Sequence, residues 1–157
     1  MTMRVARFLG ALSILGVGAV HLQQYAANGY STVPTIGTLF LLNAIGAGVV
    51  GFALLLPLES LLGPRKSNIA VGVIALAGVG IAVGSLVALF ISESGTLFGF
   101  AEGGYRSVIV IAIAVEALAT VLLAPVAAVS LRRGSGRPDR EAMRPGRPGG
   151  YAASRSA

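Results

Sequence analysis

Cysteine is absent from the chain, which removes disulfide frameworks, thiolate metal centres, iron–sulfur clusters and CxxC redox chemistry together and leaves the redox compartment open. A single histidine, His21, argues against multi-histidine metal or haem sites within one chain. Charge is scarce as well: Asp, Glu, Lys and Arg make up 11% of the residues, where a soluble domain carries about a quarter. Eleven of these charged residues lie within the first seven positions or after Leu131, so the interior is nearly uncharged. No nucleophile elbow, phosphate-binding glycine loop, HExxH or paired-carboxylate motif is present. No cofactor is expected, and a metal would need more ligands than one His and one Glu.

What the chain has is apolar surface. Of its 157 residues 55% are hydrophobic, and the mean hydropathy is +0.83. A bilayer core about 30 Å thick needs roughly 20 apolar residues per helix. Four stretches meet that length: about Val5 to Ala27, Thr35 to Leu58, Asn68 to Ile91 and Ser107 to Leu131. Turn formers separate them at Asn28 to Pro34, at Gly63-Pro64-Arg65-Lys66 and at Ser92 to Gly104. The runs are continuous and lack period-2 alternation, which excludes barrel strands. The expected fold is all-α, an antiparallel bundle of four transmembrane helices over residues 1–131, followed by a disordered basic tail over residues 132–157.

Orientation follows from Lys and Arg near the span ends. Arg4, Arg7, Arg65, Lys66, Arg132 and Arg133 fall on one side, and Glu93, Glu102 and Arg106 on the other. Both termini of this multi-pass protein are therefore expected in the cytoplasm. The first span reads as retained rather than as a signal peptide, because its apolar run is long and no small-x-small cleavage site ends it. The net charge of +6 is concentrated in the tail, which points to anionic lipid headgroups rather than nucleic acid. Small residues at four-residue spacing (Ala44/Gly48, Ala47/Gly51, Gly78/Ala82, Gly80/Gly84) are expected to bring helices close. Gly80/Gly84 also suits a homo-oligomer contact, and a partner membrane protein is a further candidate.

Polar groups at membrane depth are costly and concentrate function. At 1.5 Å per residue His21 lies about 20 Å from the inner end of its span, and Asn43, Glu116 and Ser85 fall roughly 12, 14 and 9 Å from the outer ends of theirs. Gln24 and Tyr25 follow His21 by three and four residues, on its helix face. These six residues form a candidate cluster that either joins helices or lines an outward-facing pocket. In the joining reading Glu116 hydrogen-bonds Asn43 or a backbone carbonyl, and His21 bonds Glu116, Asn43 or Gln24. In the pocket reading the cluster takes a cation, a proton or a lipid-like ligand. Phe98, Phe100 and Glu102 in the third connection are candidates for a lid.

The segments His21-Leu22-x-x-Tyr25, Pro34-Thr35-Ile36-Gly37-Thr38-Leu39-Phe40-Leu41-Leu42-Asn43 and Leu97-Phe98-Gly99-Phe100-x-Glu102, with Glu116, resemble a family of small four-span membrane proteins of GC-rich bacteria. The resemblance covers roughly residues 5 to 131. It implies the same four-helix architecture and draws attention to His21, Tyr25, Asn43, Glu102 and Glu116, but it supplies no activity. The function expected from the whole reading is a non-enzymatic accessory or scaffold module of the membrane; the alternative is a small binding or transport protein.

Overall fold

The structure, a computed structural model, describes residues 1–101, 104 and 106–136. Among them five helices form: α1 (Met3–Ala27), α2 (Ile36–Leu55), a short α3 (Leu58–Leu62), α4 (Pro64–Ser94) and α5 (Ser107–Ser135). All but α3 are long and apolar enough to cross a membrane, and the described residues contain no strand. The protein is a four-helix membrane bundle. Chain segments that cross lipid must satisfy their backbone polar groups internally, which a helix does within itself.

Proline and glycine set the boundaries. Leu56 precedes Pro57 and adopts extended backbone (φ −65°, ψ 145°), because the proline ring disfavours helical geometry at the residue before it. The second span therefore ends at Leu55, earlier than the hydrophobic run. Gly63, at φ +73°, turns the chain, and Pro64 occupies the first turn of α4, where its missing N–H costs nothing. The third span thus starts at Pro64 rather than Asn68. At the C-terminal end α5 continues through Arg132 and Arg133 to Ser135, so the chain from 132 is still helical; the rest of the expected tail, from 137, lies outside the described residues.

α1 packs on α2 and on α5, and α4 packs along the whole of α5; α2 and α4 meet over a shorter stretch. The core holds Ile14, Leu54, Leu123 and Val126, each almost fully enclosed. Leu123 is pinched between two glycines. A Cβ at Gly10 would lie 2.5 Å from Leu123 Cδ2, and one at Gly78 would lie 2.7 Å from Leu123 Cδ1 and 3.1 Å from Val50 Cγ1. Small residues thus let the backbones approach in a solvent that gives little hydrophobic drive between helices.

Arginines tie the end of the bundle that carries the N-terminus. Arg7 Nε donates to the Leu54 carbonyl (2.7 Å), Nη1 to Glu59 Oε1 (2.7 Å) and Nη2 to the Leu56 carbonyl. Arg65 Nε donates to the Gly134 carbonyl (3.2 Å). Carbonyls at helix C-termini have no partner within the helix and sit at the negative end of its dipole, so a guanidinium suits them in both respects.

Candidate functional site

Toward the other end α2 and α4 part, and the space between them, α1 and α5 is a cavity of about 410 Å³. Its wall is mostly aliphatic and aromatic, and five of the six residues of the polar cluster lie on it: His21 and Gln24 from α1, Asn43 from α2, Ser85 from α4 and Glu116 from α5. Tyr25 does not. On α1 the wall is Val20, His21 and Gln24, an arc of about 100°, and Tyr25 falls roughly 40° beyond it at the turn per residue of an α-helix.

Three helices converge on His21. Its Nδ1–H donates to the Val17 carbonyl one turn back (2.9 Å), which leaves Nε2 as an acceptor facing the cavity. Ser85 Oγ–H donates to that Nε2 (2.9 Å), and Glu116 Oε1 stands 3.7 Å from it. The partners expected for these groups differ from those found. His21 takes a backbone carbonyl and Ser85, and the Glu116–Asn43 hydrogen bond is not formed.

Two acceptors in the cavity have no partner. Glu116 is 1% exposed, yet its Oε2 makes no hydrogen bond, and Asn43 Oδ1 is likewise buried and unbonded. Leaving such a group unpaired out of water costs about 1–3 kcal/mol, more for a charge. Among the described residues the cavity wall contains no Lys or Arg. Gln24 is satisfied at the end of α1, where its Oε1 accepts from Asn28 Nδ2 (2.6 Å).

An aromatic stack covers the far end. Phe40 lies 5.1 Å from the His21 ring and stacks on Tyr30 at 4.6 Å, and Phe100 meets Tyr30 edge-on at 5.6 Å. Arg106 Nη2 donates to the Tyr30 hydroxyl (2.8 Å), linking the start of α5 to the turn between α1 and α2. That turn is pressed onto α2 where Gly37 passes the Tyr30 carbonyl so closely that no side chain fits. Phe100 is placed by a tight turn in which Leu97 and Phe100 exchange backbone hydrogen bonds (2.7 and 2.9 Å) around Phe98 (φ +51°) and Gly99 (φ +79°). Positive φ at both central residues is the type I′ pattern of hairpin turns. The turn sends Phe98 outward, 69% exposed, and brings Phe100 onto the cavity. Of the two lid candidates that are described, Phe100 lines the cavity and Phe98 does not, and Glu102 lies outside the described residues.

The sequence reading did not assign Tyr30, Phe40 or Arg106 to the site. It also placed Gly80 and Gly84 in helix packing, whereas a Cβ at either would meet nothing within 4 Å and both line the cavity. Among the described residues no three of His, Cys, Asp and Glu gather as metal ligands. No protein family, curated protein or solved structure matches the chain.

Proposed function

We propose that this protein is a non-enzymatic membrane module that binds a small, largely apolar molecule through a hydrogen-bond-donating head, with both termini on the cytoplasmic side of a bacterial plasma membrane. One observation carries the reading: Glu116 Oε2, enclosed and without a partner, lines a mostly apolar cavity of about 410 Å³. That volume is within the range of small-molecule sites, which are mainly apolar with a few placed polar groups. Asn43 Oδ1 is a second open acceptor on the same wall, and His21 Nε2 already accepts from Ser85. Two acceptors, one of them a carboxyl, and no cationic side chain among the described residues of the wall favour a head with several N–H donors. A protonated amine supplies these, and it would give Glu116 a charge-assisted bond of the stronger kind.

The competing reading makes the polar cluster a helix joint in an accessory or scaffold subunit. The Ser85–His21 bond, which ties α4 to α1, favours it. Native mass spectrometry of the detergent-purified protein separates the two, with wild type compared to Glu116→Gln and Asn43→Leu. The binding reading expects a small-molecule adduct retained by wild type and lost from both variants. Equal adducts, or none, in folded proteins of all three kinds would favour the joint.

A further inference from the structure

We infer that the cavity loads sideways from the bilayer, through the seam between α2 and α4 at Gly80 and Gly84, and that its ligand is a long-chain amine dissolved in the membrane. The inference rests on the binding reading above and adds the route and the ligand class.

The cavity wall is open in one direction. Leu39 and Leu42 on α2 are 40% and 59% exposed, and Gly80 and Gly84 on α4 are exposed too, while all four line the cavity. At the far end the described wall is better covered. Tyr30, Ile36, Ser92 and Ile109 are buried there, and the Tyr30–Phe40 stack, edged by Phe100, lies across it. Both helices of the seam are membrane-crossing, and Leu39 and Leu42 belong to the apolar surface that lipid covers. The opening therefore faces acyl chains rather than water.

Gly80 and Gly84 are what keep it open. In a helix glycine is less favourable than alanine, and neither position is crowded: a Cβ at either meets nothing within 4 Å. The absent side chains leave a gap one helix turn long beside Ser85, at the level of the acceptors. A chain lying in that gap would keep its methylenes against Leu39, Leu42 and lipid, while its ammonium head reached Glu116 Oε2. The carboxyl, nine residues into α5, sits roughly 14 Å from that helix's start. A molecule that reaches this depth from lipid need not pass the aromatic stack.

The test uses the full chain in phosphatidylcholine vesicles and dodecylamine carrying a diazirine at its chain end. Labelling is followed over time by ultraviolet pulses and peptide mass spectrometry. Wild type is expected to acquire saturable label on the seam residues of α2 and α4. Gly80→Leu/Gly84→Leu, which fills open space, is expected to lose that label, with the alanine pair between the two. Glu116→Gln is expected to lose it through the head. The unfolding transition of each variant in detergent establishes that it is folded. Wild-type labelling rates in the leucine pair, with loss in Glu116→Gln, would overturn the lateral route and leave the site standing. Wild-type labelling in Glu116→Gln would overturn the site itself.

Discussion

Two regions of this bundle use the same residue type in opposite ways. In the packed region Gly10 and Gly78 hold Leu123 between them, and beyond it, at the end bearing the N-terminus, arginines close the helix termini. In the adjoining region Gly80 and Gly84 hold nothing and border a cavity that extends toward the other end. Gly78 and Gly80 are two residues apart on one helix. Small residues in membrane helices thus have two meanings, close approach and vacated space, and the partner helix decides between them.

The sharpest way to break the comparison is to put the same kind of change in both regions. Gly78→Leu must displace Leu123, which Gly10 confines from the other side, and Val50. Overpacking of this kind costs about 3 kcal/mol. Gly84→Leu starts into open space, so the better helix preference of leucine over glycine is expected to leave stability unchanged or raise it by up to about 1 kcal/mol. Unfolding in mixed detergent measures both. Equal losses at the two positions would mean that the regions do not differ as described.

A somewhat smaller effect is expected at the charged ties. Arg7→Met keeps an apolar stem but leaves the Leu54 and Leu56 carbonyls and the Glu59 carboxylate without their donor. The loss expected is about 2 kcal/mol, in the range for hydrogen bonds to charged groups. Hydrogen exchange would locate it, with amides at the end of α2 and in α3 exchanging faster while those around Glu116 keep their protection. Loosening at the cavity end would show that the two ends are one cooperative unit.

How much of this was legible beforehand follows from which interactions are local. The four spans can be read because apolar length alone demands them; their ends differ where Pro57 and Pro64 override hydropathy and where α4 and α5 run on past their apolar runs to Ser94 and Ser135. His21, Gln24, Asn43, Ser85 and Glu116 stood out because polar groups at that depth are rare, and the structure puts all five on one wall. What could not be read was pairing across distance. Arg7 and Glu59 are 52 residues apart, and neither is unusual in its own segment. The Tyr30–Phe40 stack depends on how the turn at Gly29 meets α2, and helix spacing says nothing of that. Gly80 and Gly84 matched a packing motif whose meaning depends on a neighbour, α2, that stands away from them.

The smallest expected effect concerns pH at the end that carries the N-terminus. Glu59 lies in α3, outside the spans, and its carboxyl is held below the usual value by its own backbone N–H first and by Arg7 after that. A depressed carboxyl stabilises the fold above its unfolded pKa, and that contribution is lost as the pH falls through the lower folded value. Since the Glu59 side chain is 55% exposed, water screens most of the attraction. Wild type is therefore expected to lose a little more stability than Glu59→Gln between about pH 5 and about pH 3. The difference should shrink in high salt, since an exposed pair is screened by ions. If Glu59→Gln followed the wild-type curve through that window, the anchoring at this end would belong to the Arg7–carbonyl bonds alone, and the ion pair would be a consequence of the closure rather than one of its causes.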